Sequence, residues 1–145
     1  MKIKRMRPQS VIPTRATTGS AGYDLSADID APVEICYGRV TKIPTGVAIE
    51  LPKDHVGLVF GRSGHGTKYG VTMANNVGVI DSDYRGEIFV SLVCSKSEGY
   101  TVQPQERIAQ LVIMPISTPE LLVCEELSDT ARGDGGFGST GKATS

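Results

Sequence analysis

The chain has no tryptophan, only two histidines and three cysteines in 145 residues, and almost no net charge, at a formal −1. Each shortage excludes something. Cys36, Cys94 and Cys124 are an odd number, far apart, with no CxxC pair, so neither a disulfide framework nor a zinc site is expected. That pattern points to a reduced, intracellular setting. His55 and His65 are too distant for a helical metal pair. Ser63 has no His and Asp companions for a nucleophilic triad. The neutral balance gives no general attraction to nucleic acid or membrane. Lys2, Lys4, Arg5 and Arg7 form one local basic cluster, read as a solvated strand end. No apolar run follows it, so neither a signal peptide nor a membrane anchor is expected.

Seventeen glycines and eight prolines favour turns and short strands over long helices. Val47, Ile49 and Leu51 alternate with Ala48 and Glu50, the period of a half-buried strand. Ile88, Val90, Leu92 and Cys94 repeat the pattern, and residues 108–114 and Leu121–Cys124 are further strand candidates. Cys94 and Cys124 sit in apolar stretches, where free cysteine behaves as a small hydrophobe. Prolines stand at the ends of several of these runs, where they stop a ladder without breaking one. The best helical candidate is a turn or two near Ser63 to Tyr69, weakened by Gly64 and Gly66. Many short strands in one small domain predict an all-β sandwich or barrel with at most one short helix. From Ser128 to Ser145 there are five glycines and one large apolar residue, Phe137. Such a segment has no core of its own and is expected to be a flexible arm, 128–145, on a domain spanning 1–127.

Five polar, glycine-bearing segments carry the chemistry: Ala21–Leu25, Gly61–Gly64, Gly78–Glu87, Glu106–Gln110 and Arg132–Gly141. The second and fifth combine arginine, hydroxyls and glycines, which suits phosphate oxygens. If a helical turn begins near Ser63, its free amides favour the same ligand. A turn with a solvated arginine would look the same. In the third segment Asp81 follows an apolar strand end, where a partly desolvated carboxylate could orient and deprotonate a water. Asp81 or Asp83 could equally just start the turn through its own hydrogen bonds. Gly136–Lys142 nearly spells a phosphate-binding P-loop, but Ala143 takes the hydroxyl position and no helix can follow. Arg132-Gly-Asp134 matches an integrin tripeptide by coincidence.

In this order, the five segments resemble the five signature motifs of the trimeric dUTPase family, over Ala21 to Gly141. The fifth, Arg-Gly-x-Gly-Gly-Phe-Gly-Ser-Thr-Gly, is complete, and Ile43–Val47 and Ala74–Asn76 fit as well. The resemblance implies a jelly-roll-like β-barrel with a flexible glycine-rich C-terminal arm, assembled as a homotrimer with shared active sites. It implies hydrolysis of dUTP to dUMP and pyrophosphate, which keeps uracil out of DNA and supplies dUMP for thymidylate synthesis. Asp81 resembles the catalytic aspartate that activates water against the α-phosphorus. Tyr84 resembles the tyrosine beneath the deoxyribose, which leaves no room for a 2′-hydroxyl. Asn75, Val79 and Ile80 match the uracil-binding hairpin, and Arg62, Ser63, Gly64 and Gln110 match phosphate-contacting positions. Arg132, Gly138, Ser139 and Thr140 belong to the arm, which would close over nucleotide and lay Phe137 on the uracil ring. The implied cofactor is Mg2+, held mainly by the triphosphate and water, with Asp24 acting indirectly through water.

Three positions depart from the family's usual pattern. Gly61 replaces proline and His65 replaces leucine, so the second motif is expected to be looser, while Gln105 replaces glycine before Glu106 at a turn of little chemical consequence. Two alternatives are a dCTP deaminase, on the same fold, and a nucleotide-gated binding or signalling module. The run Ile80–Tyr84 and the complete fifth motif favour the hydrolase over the deaminase, and no inserted segment offers a module's partner surface.

Overall fold

A computed structural model describes residues 1–136. The strands are β1 (Lys2–Arg5), β2 (Tyr23–Ser26), β3 (Val33–Ile35), β4 (Thr41–Pro44), β5 (Val47–Glu50), β6 (His55–Gly61), β7 (Val71–Met73), β8 (Val77–Ile80), β9 (Phe89–Cys94), β10 (Tyr100–Val102) and β11 (Arg107–Pro115). Among the described residues the helical structure is one short stretch, in which Ser63 and Gly64 lead into a five-residue π-type turn, His65–Tyr69. The fold is therefore all-β, as expected. Every pairing between named strands is antiparallel: β2-β11-β6-β8 and β4-β9-β7 form the larger sheets, with β1-β5 and β10-β3 as ribbons.

All four sheets supply side chains to one core. Leu25, Ile35, Ile43, Val47, Val59, Val71, Val90, Leu92, Val102 and Leu111 are essentially sealed from solvent. In β9 the alternation read from sequence is realised, with Val90, Leu92 and Cys94 turned inward. No described helix is long and apolar enough to cross a membrane.

The C-terminal stretch corrects one expectation. Leu121–Cys124 forms no strand, and β11, which ends at Pro115, is the last strand of the described chain. Leu121 is 95 % exposed, Leu127 87 % exposed and Val123 fully so, and Cys124 is exposed rather than packed. These residues have the side chains of a strand, but among the described residues they find neither a pairing edge nor an apolar face.

Two pieces of backbone position the site. Gly70, at φ 69°, ends the π-type turn in the left-handed region, and its N–H donates to the Gly66 and His65 carbonyls. Tyr84 lies so close over Gly86 that any Cβ there would overlap its ring, and its hydroxyl donates to the Glu87 carbonyl at 2.9 Å.

Candidate active site

Two clefts gather the residues singled out by sequence. The first, of about 310 Å³, lies where β2, β11 and the end of β6 meet. Register sets Gln110 of β11 between Asp24 of β2 and Phe60 of β6, so three distant motifs reach one surface. Asp24 accepts from Arg107 Nη1 at 3.0 Å and pairs with Arg62 Nε at 3.5 Å. Arg62 Nη1 also donates to the Arg107 carbonyl at 3.0 Å, and Gln110 Nε2 to the Gly61 carbonyl at 3.4 Å. One carboxylate between two guanidiniums leaves the cleft net positive. Arg62 and Arg107 keep 30 % and 54 % of their side chains exposed, so both retain donors for an incoming anion. Ser63 lines the same cleft, with Gly64 next to it in the chain.

The fit to a metal follows from the same contacts. Both Asp24 oxygens already face guanidiniums, and no group of three potential ligands exists among the described residues. The chain offers no cage of its own, which suits an ion that arrives with phosphate and keeps most of its water.

The second cleft, of about 280 Å³, lies on the turn after β8 and the adjoining β9. It brings together Asn75, Val79, Ile80, Asp81 and Tyr84, all five of them anticipated from sequence. Asp81 directly follows β8, and its carbonyl accepts from Tyr84 N at 3.1 Å, closing the turn. Its carboxylate is exposed in this copy, and no described residue donates to it. The partial desolvation expected from sequence is therefore not supplied by this chain alone.

The second cleft runs along β8 from Asn75, near the Phe60 end of β6, to Asp81 beyond the other end. Phe60 faces Val77 and Gly57 faces Ile80, so Asp81 lies level with Val56, six residues back from Arg62. At about 3.3 Å per residue that separation is roughly 20 Å. The structure thus gathers Arg62, Ser63, Gln110 and Asp24 in one place and Asp81, Asn75 and Tyr84 in another. Arg132 joins neither group: its Nε donates to the Gly135 carbonyl at 2.9 Å, within its own turn. Phe137, Gly138, Ser139 and Thr140 lie outside the described residues.

Sequence reading missed three participants. Arg107 stands in the fourth motif, and its charge beside Gln110 was the available signal. Lys42 reaches the second cleft from β4, with Nζ 3.9 Å from the Phe89 ring centroid, and nothing in its local sequence marks it. Glu106 is half-buried, with Oε1 2.7 Å from His65 Nε2 and Oε2 taking the Gln103 N–H at 2.8 Å. Burial pushes its pKa up, but hydrogen bonds from Gln103, Tyr100 and His65 outweigh it and leave the pKa below the ordinary 4.5. His65, expected to loosen the second motif, is buried and ties it to the fourth instead.

Comparison with known proteins decides the family. The dUTPase family model matches residues 9–141. The chain belongs to the dUTPase family. It is 52 % identical over 131 residues to the deoxyuridine 5'-triphosphate nucleotidohydrolase of Desulfitobacterium hafniense, covering 90 % of this chain and 87 % of that one. Among solved structures it is similar to the dUTPase of Staphylococcus bacteriophage 80alpha with dUPNHPP, at TM-score 0.84 and 30 % identity, covering 97 % and 98 % of the two chains. It is also similar to a mutant dUTPase from phage phi11 of S. aureus, at TM-score 0.78 and 25 % identity over 86 % and 96 %. The latter structure is described as showing the coordination of a structural Mg(II) ion.

Proposed function

We propose that this chain hydrolyses dUTP to dUMP and pyrophosphate at sites shared between copies of itself in a homotrimer. The observation that carries the shared site is the separation of Asp81 from the Arg62–Arg107 cleft along β6. A triphosphate gripped at one end of that strand needs its attacking water from another copy's second cleft. The exposed Leu121, Leu122, Val123 and Leu127 support the same assembly, because clustered apolar side chains of this kind mark a surface that another chain covers.

In the composite site Arg62, Arg107, Ser63, Gly64 and Gln110 bind the phosphates. Asn75, Val79 and Ile80 hold uracil against the hairpin, and Tyr84 lies under the deoxyribose. Asp81 orients a water and takes its proton as the oxygen attacks the α-phosphorus. The bond from that phosphorus to the bridging oxygen of the β-phosphate breaks, and pyrophosphate leaves with the electron pair. Water is a weak nucleophile, so its alignment matters as much as removal of its proton. Mg2+, where it accompanies the triphosphate, would offset part of its charge, and Asp24 is the residue placed to hold it through water. Residues 128–145, with Arg132, Phe137, Gly138, Ser139 and Thr140, would act as a lid over the bound nucleotide.

Relatives named as nucleotidohydrolases do not favour the deaminase or the gated module. The deciding experiment incubates the full-length protein with dUTP, dCTP and UTP. Pyrophosphate is expected from dUTP alone. Deamination of dCTP, or nucleotide binding without turnover, would overturn the proposal.

A further inference from the structure

The phosphate cleft is built on a short helical segment whose internal support is slight. Arg62 opens it, its carbonyl accepting from Gly66 N at 3.0 Å, and Ser63 and Gly64 run straight into the π-type turn His65–Tyr69, which has no side-chain cap at Gly64 and no acidic residue in its first turn. Ser63 and Gly64 are exposed. A side-chain tie to the rest of the fold comes at the next residue. His65 is the turn's single buried residue, at 7 % exposure, and its Nε2 is 2.7 Å from Glu106 Oε1. The same carboxylate accepts from the Tyr100 hydroxyl and from Gln103 N. A carboxylate placed among these donors can only accept, so His65 Nε2 is the donor to it. Tyr100 and Tyr69 meet the His65 ring edge-on at centroid distances of 5.5 and 6.0 Å, and each other at 4.8 Å. Glu106 immediately precedes Arg107, whose carbonyl holds Arg62 and whose guanidinium holds Asp24.

We infer that His65 is a positioning residue: through Glu106 it locks the Arg62–Ser63 segment to the start of β11, so that both arginines meet the triphosphate already aligned. This rests on the hydrolase reading of the cleft given above. The physical effect is a population effect. A turn held in its competent arrangement binds with its full affinity, and one that visits it a tenth of the time binds about tenfold more weakly. Loss of one buried hydrogen bond to a carboxylate is large enough to cause a shift of that order.

The test uses the full-length protein and three probes: magnesium tripolyphosphate, dUMP and dUTP. His65→Leu is expected to weaken tripolyphosphate binding about tenfold and raise KM for dUTP by a similar factor. The kcat value and the affinity for dUMP, which fills only the second cleft and its nearest phosphate position, should stay within about twofold of the parent. His65→Gln, which restores a donor at similar reach, should recover most of the tripolyphosphate affinity. A loss of thermal stability with unchanged tripolyphosphate binding would overturn the inference, as would equal weakening of dUMP and tripolyphosphate. Should His65→Leu fail to fold, Glu106→Gln carries the test from the acceptor side, and unchanged tripolyphosphate binding there also overturns it. A parent protein that cannot hydrolyse dUTP, yet loses tripolyphosphate binding on His65→Leu, would sink the hydrolase reading and leave the positioning role standing.

Discussion

Asp81→Asn separates chemistry from folding because of where Asp81 sits. Its contribution to the fold is a backbone one, the carbonyl that accepts from Tyr84 N at 3.1 Å, and asparagine keeps it. The side chain is exposed and receives no hydrogen bond from the described residues. The substitution should therefore change stability by no more than about 0.5 kcal/mol, the usual range for surface positions. Its effect on turnover should be far larger. Removing a positioned general base typically costs about 10²–10⁴ in rate. At 1.36 kcal/mol per decade that is roughly 3–5 kcal/mol of barrier. Pyrophosphate release measures the loss, titration calorimetry with a non-hydrolysable dUTP analogue checks binding, and a melting curve checks the fold. The expected result is collapsed turnover with binding and melting temperature retained. Turnover within about threefold of the parent would mean another group activates the water, with Asp83 the next to test. Loss of binding or folding along with turnover would mean that Asp81 is structural.

Further outcomes follow from other contacts. Asp28 is 7 % exposed and accepts from Arg7 Nε at 2.9 Å and Ser10 Oγ at 2.8 Å, so Asp28→Ala should destabilise by about 2–3 kcal/mol in urea melts, allowing for a partly exposed Arg7. Glu106 has its folded pKa below 4.5, so the stability it contributes is present above that pH and is lost as pH falls through the folded value; acid melting curves of Glu106→Gln should be flatter than the parent's in that window. Mixing Asp81→Asn chains with chains cut after Ser128 should restore some turnover if subunits exchange, and strict failure despite proven exchange would refute shared sites. Phe137→Trp places a lone indole in a chain that has no other tryptophan, and its fluorescence should respond to a dUTP analogue with magnesium and much less to dTTP.

β9 was legible through one wetter and one dry face. β5, expected to be half-buried, has Ala48 buried as well, and β11 was read from its apolar run although Ile108 and Ala109 bury both its faces. In β9 the alternation survives intact because only one face meets the core. β6 was not read, since it lies between β8 and β11, carries Gly57 in mid-strand, and shows little alternation. β1 has all four side chains exposed, so no period exists to be seen. Leu121–Cys124 shows the converse error: apolar side chains in a row supply the propensity for a strand, but pairing needs an edge that local sequence does not encode. The candidate site divides in the same way. Asp81 was legible as a candidate because a strand end and a turn are local events, whereas Tyr84 came only through the family resemblance. The ion pair of Asp24 with Arg107 spans 83 residues and depends on the β2–β11 register, which no single segment reveals.

That division bears on why the motifs had to be recognised as a set. Taken singly, the Arg62 turn is consistent with a solvated arginine and the Asp81 turn with a carboxylate that only starts a turn. The fold bears on the first ambiguity, since Arg62 is not simply solvated: it shares Asp24 with Arg107, and both line a common cleft. The second is different, because Asp81 remains exposed and about 20 Å along β6 from that cleft. Under the proposed reading, a carboxylate so placed needs the phosphate cleft of another copy. Its proposed role as base therefore stands or falls with the assembly that would bring a second copy's phosphate cleft to it. For this chain, oligomerisation and catalysis are one hypothesis, and a monomer that hydrolyses dUTP would refute both.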